Sequence, residues 1–229
     1  MSTPLLFHWK DASATKRFRT GVSLHSHTLH SRELLDFIPR LGRACPPLNR
    51  EIARLLSRFE RCHGRPFDFR RGWWTPPLDA HSAVRLESDQ IQQLGLRSLV
   101  SLTDHDSLEA HSGGRYLASV ELTVRLEASF LHLGIHNLPP ARAREVLAFG
   151  GHPAALMGWL SQFPHALVVL NHPLWDEAGI SAPAHRAMVE RFLARYERDI
   201  HALELNGLRP WRENAAVAEM ARAWGLPAI

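Results

Sequence analysis

Apolar residues fall along this chain in two alternating patterns, short continuous runs and stripes at helical spacing. Residues 18–24 predict a first strand. Leu48, Ile52, Leu55, Leu56 and Phe59 lie three or four apart and predict one face of a helix. Residues 64–77, rich in Gly, Pro, Arg and aromatic side chains, read as loop. Residues 78–94 predict a helix that Gly95 stops. Residues 99–102, 115–122 and 129–133 predict strands, and Leu156, Trp159, Leu160 and Phe163 another helix face. Residues 166–170 are apolar on both sides, as in a fully buried strand. Val189, Phe192, Leu193 and Tyr196 make a further stripe, and residues 200–205 a strand. Val217, Met220, Ala221 and Trp224 mark a helix that Pro210 opens and Gly225 closes. Residues 226–229 start one more strand. The alternation predicts an α/β fold of parallel units. It reads as a single domain over 1–229, with an insertion at about residues 30–97.

The polar residues that interrupt this pattern gather where strands end. His25 and His27 follow the first strand, and Asp104, His105 and Asp106 follow residues 99–102. Glu121 lies in the next strand, and His132 closes residues 129–131. Asn171 and His172 follow residues 166–170, and Glu204 and Asn206 end residues 200–205. Sites in parallel α/β folds lie at the C-terminal ends of strands, so these residues are expected to share one mouth. Residues i and i+2 of an extended segment face the same side, so His25 and His27 can grip one ion. Neutral imidazoles bind zinc or iron, and a carboxylate such as Glu121 can bridge two ions. Taken singly, each group has a plainer role: Asp106 as a helix cap, Asn171-His172 as a polar turn, Glu121 as an ion-pair partner. Their joint placement after apolar runs favours a metal site.

Composition narrows the classes. With 45% hydrophobic and 22% charged residues the chain is an ordinary globular one. No apolar run approaches the length of a membrane span, and no secretory signal opens the sequence. Two cysteines cannot frame a disulfide fold, so the expected compartment is the cytoplasm. Lys plus Arg number 27 against 23 acidic residues, a net +4 compatible with phosphate-bearing ligands. The 15 histidines are the unusual count. His8, His81, His111, His152, His165, His185 and His201 read as surface or structural, and Cys62-His63 lacks the second pair a zinc knuckle needs. There is no Gly-rich phosphate loop and no nucleophile elbow.

In order, His25-Ser-His27-Thr28, Thr103-Asp104-His105, Glu121, His132 and Asn171-His172-Pro173 resemble the successive motifs of the polymerase-and-histidinol-phosphatase (PHP) superfamily. The resemblance spans about residues 18–229. It implies a distorted (β/α)7 TIM-like barrel holding two to three divalent ions, zinc, manganese or iron. It also implies hydrolysis of phosphate esters by a metal-bound hydroxide. Carried over, the first ion takes His25, His27 and Glu121. The second takes the bridging Glu121 with His132 and His172, and the third uses His105. His105 and Asp104 are expected to act in catalysis. Arg32, or an insertion arginine such as Arg70 or Arg71, is expected on the substrate phosphate. Two departures stand out. Arg32 occupies the place of a third-ion Asp, with Glu33 or His30 as substitutes. The family's closing Asp-x-His would follow Ile229, so the last strand is expected to be incomplete and only the second ion to keep every protein ligand. Trp73 and Trp74 are expected to pack the insertion against the barrel. The expected partner is a small phosphorylated substrate, with no membrane. The alternatives are a PHP-type nuclease acting on nucleic acid, or a non-catalytic metal-binding regulatory domain.

Overall fold

The apolar runs become strands and the stripes become helices, in a computed structural model that describes residues 11, 13–35, 38–69, 71–111, 116–126 and 129–229. Two parallel strands, β1 (Thr20–Ser23) and β4 (Arg97–Val100), pair Thr20 with Arg97 through Ser23 with Val100. Between them lie β2 (Glu33–Leu34), α1 (Ile38–Ala44), α2 (Pro46–His63), β3 (Trp73–Trp74) and α3 (Ala80–Gln93). A four-stranded sheet follows, ordered β5 (Ala118–Arg125), β6 (Phe130–Leu138), β7 (Leu167–Asn171) and β8 (Ala202–Leu203). Helices α4 (Pro153–Leu160), α5 (Ala182–Tyr196) and α6 (Trp211–Ala223) pack on it. A parallel bridge from His105 to Glu121 joins the β4 loop to β5, so both sheets feed one strand order.

The strands are not all parallel, contrary to the sequence expectation. β6 runs antiparallel to both β5 and β7, while β7 and β8 are parallel. The reason is the short β5–β6 connection, which can make a hairpin but is too short for a helical crossover. His132 therefore sits near the start of a nine-residue strand rather than at the end of a short one. Reversal still brings it to the mouth, because the N-terminal end of β6 lies beside the C-terminal end of β7. Among the described residues the strand order is open and closes no barrel. Ala228 bridges Leu203 in parallel, extending the sheet by the strand start expected at residues 226–229.

The core divides in two. The larger part lies under β5–β8 and contains Val120, Leu122, Leu133, Ile135, Leu170 and Leu203. The helices add the stripes read from sequence, among them Leu156 and Trp159 of α4, Val189 and Phe192 of α5, and Val217 and Met220 of α6. Burial of one such side chain is worth about 1.5–3 kcal/mol. The smaller part joins Ala83 of α3 to Val100 and Leu102. Asp79 caps α3 by accepting from Ser82 N at 2.7 Å.

Residues 64–77, read as loop, contain the short strand β3. β2 and β3 pair antiparallel, Glu33 with Trp74 and Leu34 with Trp73. Trp73 and Trp74 remain 49% and 47% exposed, so they do not pack onto a core as expected. Helix α2 buries none of its residues, and Leu55 on its apolar face is 65% exposed. No helix among the described residues is long and apolar enough to cross a membrane.

Candidate metal centre

Glu121 is fully buried in the middle of β5, and imidazoles close on it from every neighbouring strand. Its Oε2 lies 3.0 Å from His25 Nε2, 3.2 Å from His27 Nε2 and 3.4 Å from His105 Nε2. Its Oε1 lies 3.0 Å from His172 Nε2 and 3.6 Å from His132 Nδ1, and accepts from Asn171 Nδ2 at 2.9 Å. All six residues read as ligands thus converge: His25, His27, His105, Glu121, His132 and His172.

The local backbone explains the convergence. Ser101 N donates to Ser23 O and Thr103 N to Ser26 O, which keeps the loops after β1 and β4 side by side. Asp106 N donates to Glu121 O, fixing the β4 loop on β5. Successive strand residues face opposite sides, yet Asn171 and His172 both reach Glu121. The break comes at His172, whose φ of 28° lies in the left-handed region that a non-glycine residue rarely adopts. On β6, His132, Gly134 and His136 share one face. A Cβ on Gly134 would stand 2.8 Å from Asn171 Oδ1 and 2.9 Å from His136 Nε2, so glycine lets these two side chains approach the backbone.

Carboxylates beyond Glu121 complete the cluster. Glu33 reaches His27 Nδ1 at 3.0 Å and His105 Nε2 at 3.5 Å. Glu177, which no sequence signal marked, lies 3.8 Å from His132 Nδ1. Glu204 lies 2.7 Å from His25 Nδ1. The donor atoms fall into four groups, each spanning no more than 4.8 Å: His25, Glu121 and His172; His27, Glu33 and His105; His105, Glu121 and His132; His132, His172 and Glu177. These mixed nitrogen and oxygen sets suit zinc, manganese or iron. They also fit a cation by default of other partners. Glu121 Oε2 is buried without a hydrogen-bond partner although three imidazole nitrogens face it, an arrangement of lone pairs that an ion would satisfy.

The electrostatics of the metal-free cluster agree. Burial opposes charge on His25, but Glu121 and Glu204 outweigh it and raise its pKa well above the ordinary value. His27 is raised in the same way by Glu121 and Glu33, and His105 reaches about 9 against the same burial penalty. Burial opposes ionisation of Glu121 and Glu33, yet the surrounding imidazoles lower both. His132 goes the other way: burial, together with its cationic neighbours, lowers its pKa well below the ordinary range. Protons on His25, His27 and His105 therefore do in the metal-free protein what divalent cations would do in the loaded one.

Two residues expected in catalysis lie outside the ligand groups. Asp104 is fully buried, and both its oxygens are taken by Thr28, one by the backbone N–H and one by the hydroxyl at 2.7 Å. It faces the strand-end loop rather than the mouth. Arg32 is exposed and lies over the Trp73 ring, 5.1 Å from its centroid. His30 is exposed and joins none of the four groups. Arg70 and His8 lie outside the described residues. His185 is a structural histidine, buried with its Nε2 3.0 Å from Pro173 O. A buried histidine not marked in the sequence, His136, bonds Ser101 Oγ at 2.8 Å, and burial lowers its pKa to about 4.

Asp104 thus works as scaffold for the loop that carries His25 and His27. Asp104→Ala leaves the Thr28 N–H and hydroxyl unpaired in the interior and lowers folding stability by about 1–3 kcal/mol. Denaturant unfolding followed by metal analysis checks this. Stability is expected to fall while the metal complement of the folded protein stays. Unchanged stability with loss of metal would make Asp104 a ligand instead.

Beside the cluster, Phe130, Leu131, Trp175, Glu177 and His185 line a small hollow with His132, Asn171 and His172, with a free volume of about 10 Å³. Arg209 stands over the outer face of Trp175, 4.5 Å from the ring centroid, and pairs with Glu213 at 2.8 Å.

No protein-family model matches the chain. No curated protein matches it either. Among solved structures, the chain is similar to an amidohydrolase from Chromobacterium violaceum, determined with bound sulfate and no metal. The two are 15% identical with a TM-score of 0.43, over 66% of this chain and 80% of the other.

Proposed function

We propose that this chain is a metal-dependent hydrolase of phosphate esters of the PHP type. The observation that carries the reading is Glu121, buried and shared among five imidazoles drawn from four strands or their loops. The reading takes the open sheet to be part of a PHP-type (β/α)7 barrel. Divalent ions at such a site polarise a phosphoryl oxygen and bring the pKa of bound water toward neutrality.

The chain's own residues have distinct tasks in this reading. Glu121, with His25, His27, His172, His132, His105, Glu33 and Glu177, would hold the ions. The Ser31 hydroxyl and Glu33 meet His27 Nδ1 at 3.0 Å each, leaving its Nε2 directed at Glu121. Arg32, braced on Trp73 beside Glu33, supplies a cation for the substrate phosphate at the rim. The two exposed thiols, Cys45 and Cys62, suit a reducing cytoplasm.

A second reading, a nuclease, draws on the insertion. Residues 38–72 hold nine arginines against three acidic residues, an excess larger than the +4 of the whole chain. A polyanionic strand would be steered by that charge, with binding that weakens steeply as salt rises. The test uses purified protein loaded with manganese or zinc and offered an aryl phosphate monoester, an aryl phosphodiester and an aryl amide. Metal-dependent turnover of the monoester is expected. Turnover of the diester alone, with salt-sensitive binding of a single-stranded oligonucleotide, selects the nuclease. Turnover of the amide alone overturns both.

A further inference from the structure

Glu204 stands outside the ligand groups, yet it touches two of their members. It follows β8 and is anchored there by its own N–H, which donates to Leu170 O at 3.0 Å. Its Oε1 meets His25 Nδ1 at 2.7 Å and accepts from Asn206 Nδ2 at 3.3 Å. Its Oε2 accepts from the backbone N–H of His172 at 2.7 Å. That N–H belongs to the residue held at a φ of 28°, the same turn that aims His172 at Glu121.

We propose that Glu204 is a positioning residue that couples the two halves of the metal centre, orienting the His25 ring with one oxygen and holding the left-handed backbone of His172 with the other. The inference rests on the metal-centre reading above. A carboxylate on His25 Nδ1 keeps the proton there and turns the Nε2 lone pair toward Glu121, so the ring enters as an Nε2 ligand. At His172 the same carboxylate takes an N–H that the strained turn presents, and release of that bond would let the chain relax and swing the imidazole away. Asn206, two residues on, donates to the same oxygen as His25 and fixes which oxygen serves which partner.

Glutamine at this position has the same size but only one accepting oxygen, so it cannot serve His25 Nδ1–H and His172 N–H together. Zinc and manganese affinities, measured against a competing chelator, are expected to fall about 10–100-fold in Glu204→Gln. The melting temperature of the metal-free variant separates this from simple destabilisation. In a His25→Ala background the same substitution is expected to cost less, because one of its two dependants is gone. Unchanged affinity in Glu204→Gln, or losses that add fully in the double variant, overturns the proposal. A measurement on the unaltered chain stands independently of whether variants fold. Nitrogen NMR of the zinc-loaded protein should show His25 protonated at Nδ1, and a proton on Nε2 would overturn the assignment. A chain that binds zinc yet fails these tests removes Glu204 from its role and leaves the metal centre standing. A chain that binds no zinc or manganese removes both.

Discussion

In the proposed reading, Glu121→Gln is expected to empty the cluster of metal and to lower kcat/KM for a phosphate monoester by roughly a thousandfold or more. The size of the effect follows from position. Glu121 is fully buried, and it is the residue common to the His25–His172 group and the His105–His132 group. Glutamine fills the same space but carries no charge, and its amide would turn N–H groups toward imidazole nitrogens that already face Oε2 at 3.0–3.4 Å. The metal-free variant should also be less stable. Removing one partner from a buried ionic cluster costs about 3–5 kcal/mol. That cost is expected to be largest near pH 6, where His25, His27 and His105 carry protons, and to shrink toward pH 9 as they lose them. Elemental analysis, steady-state kinetics and urea unfolding at both pH values check the three parts. A variant that keeps its metal and its turnover would remove Glu121 from the centre.

The second large effect is a pH dependence that metal reverses. In the metal-free protein His25, His27 and His105 have raised pKa values, His105 reaching about 9, against about 6.5 when unfolded. Their contribution is fully present below pH 6.5 and is lost as pH rises toward 9. His132 and His136 are lowered by burial, His136 to about 4, so their contribution is present above pH 6.5 and is lost as pH falls. Glu121, Glu33 and Glu204 are also lowered, and they add to the acid loss below about pH 4.5. The metal-free melting temperature should therefore peak near pH 6–7 and decline on both sides. Metal binding must displace the protons on His25, His27 and His105, so added manganese should stabilise more at pH 8.5 than at pH 6. At a hundredfold excess over Kd the increment is about 2.7 kcal/mol. Melting curves from pH 5 to 9, with chelator and with manganese, read both arms. A metal increment that shrinks as pH rises would contradict the charge assignment.

The convergence of His25, His27, His105, Glu121, His132 and His172 was legible because each interrupts or follows an apolar run, and a run that ends in imidazole or carboxylate marks a strand reaching a polar mouth. The direction of β6 was not legible. Alternation of apolar residues reports which face is buried and says nothing of which way a strand runs. The short β5–β6 connection carried the signal, since a parallel crossover needs many more residues. Asp104 and His105 are neighbours with opposite fates, one tied to Thr28 and one at the cluster. Composition cannot separate them, because only the fold decides which points inward. Glu33 was visible beside the first histidine motif, whereas Glu177 belongs to a loop with no periodicity and comes into range through the turn after His172. Glu204 was visible as a polar strand end, but its link to His172 depends on a backbone angle that no sequence pattern encodes. The β2–β3 pairing involves two residues on each side, too few to show a period of two.

The most direct test of the metal centre is anomalous diffraction from crystals of the chain soaked in manganese or zinc. The account predicts a peak within about 2.0–2.3 Å of the Glu121 carboxylate and of the His172 imidazole, and its absence in His172→Ala crystals. Peaks confined to surface histidines such as His81 or His152, with the Glu121 cluster empty at millimolar metal, would contradict it.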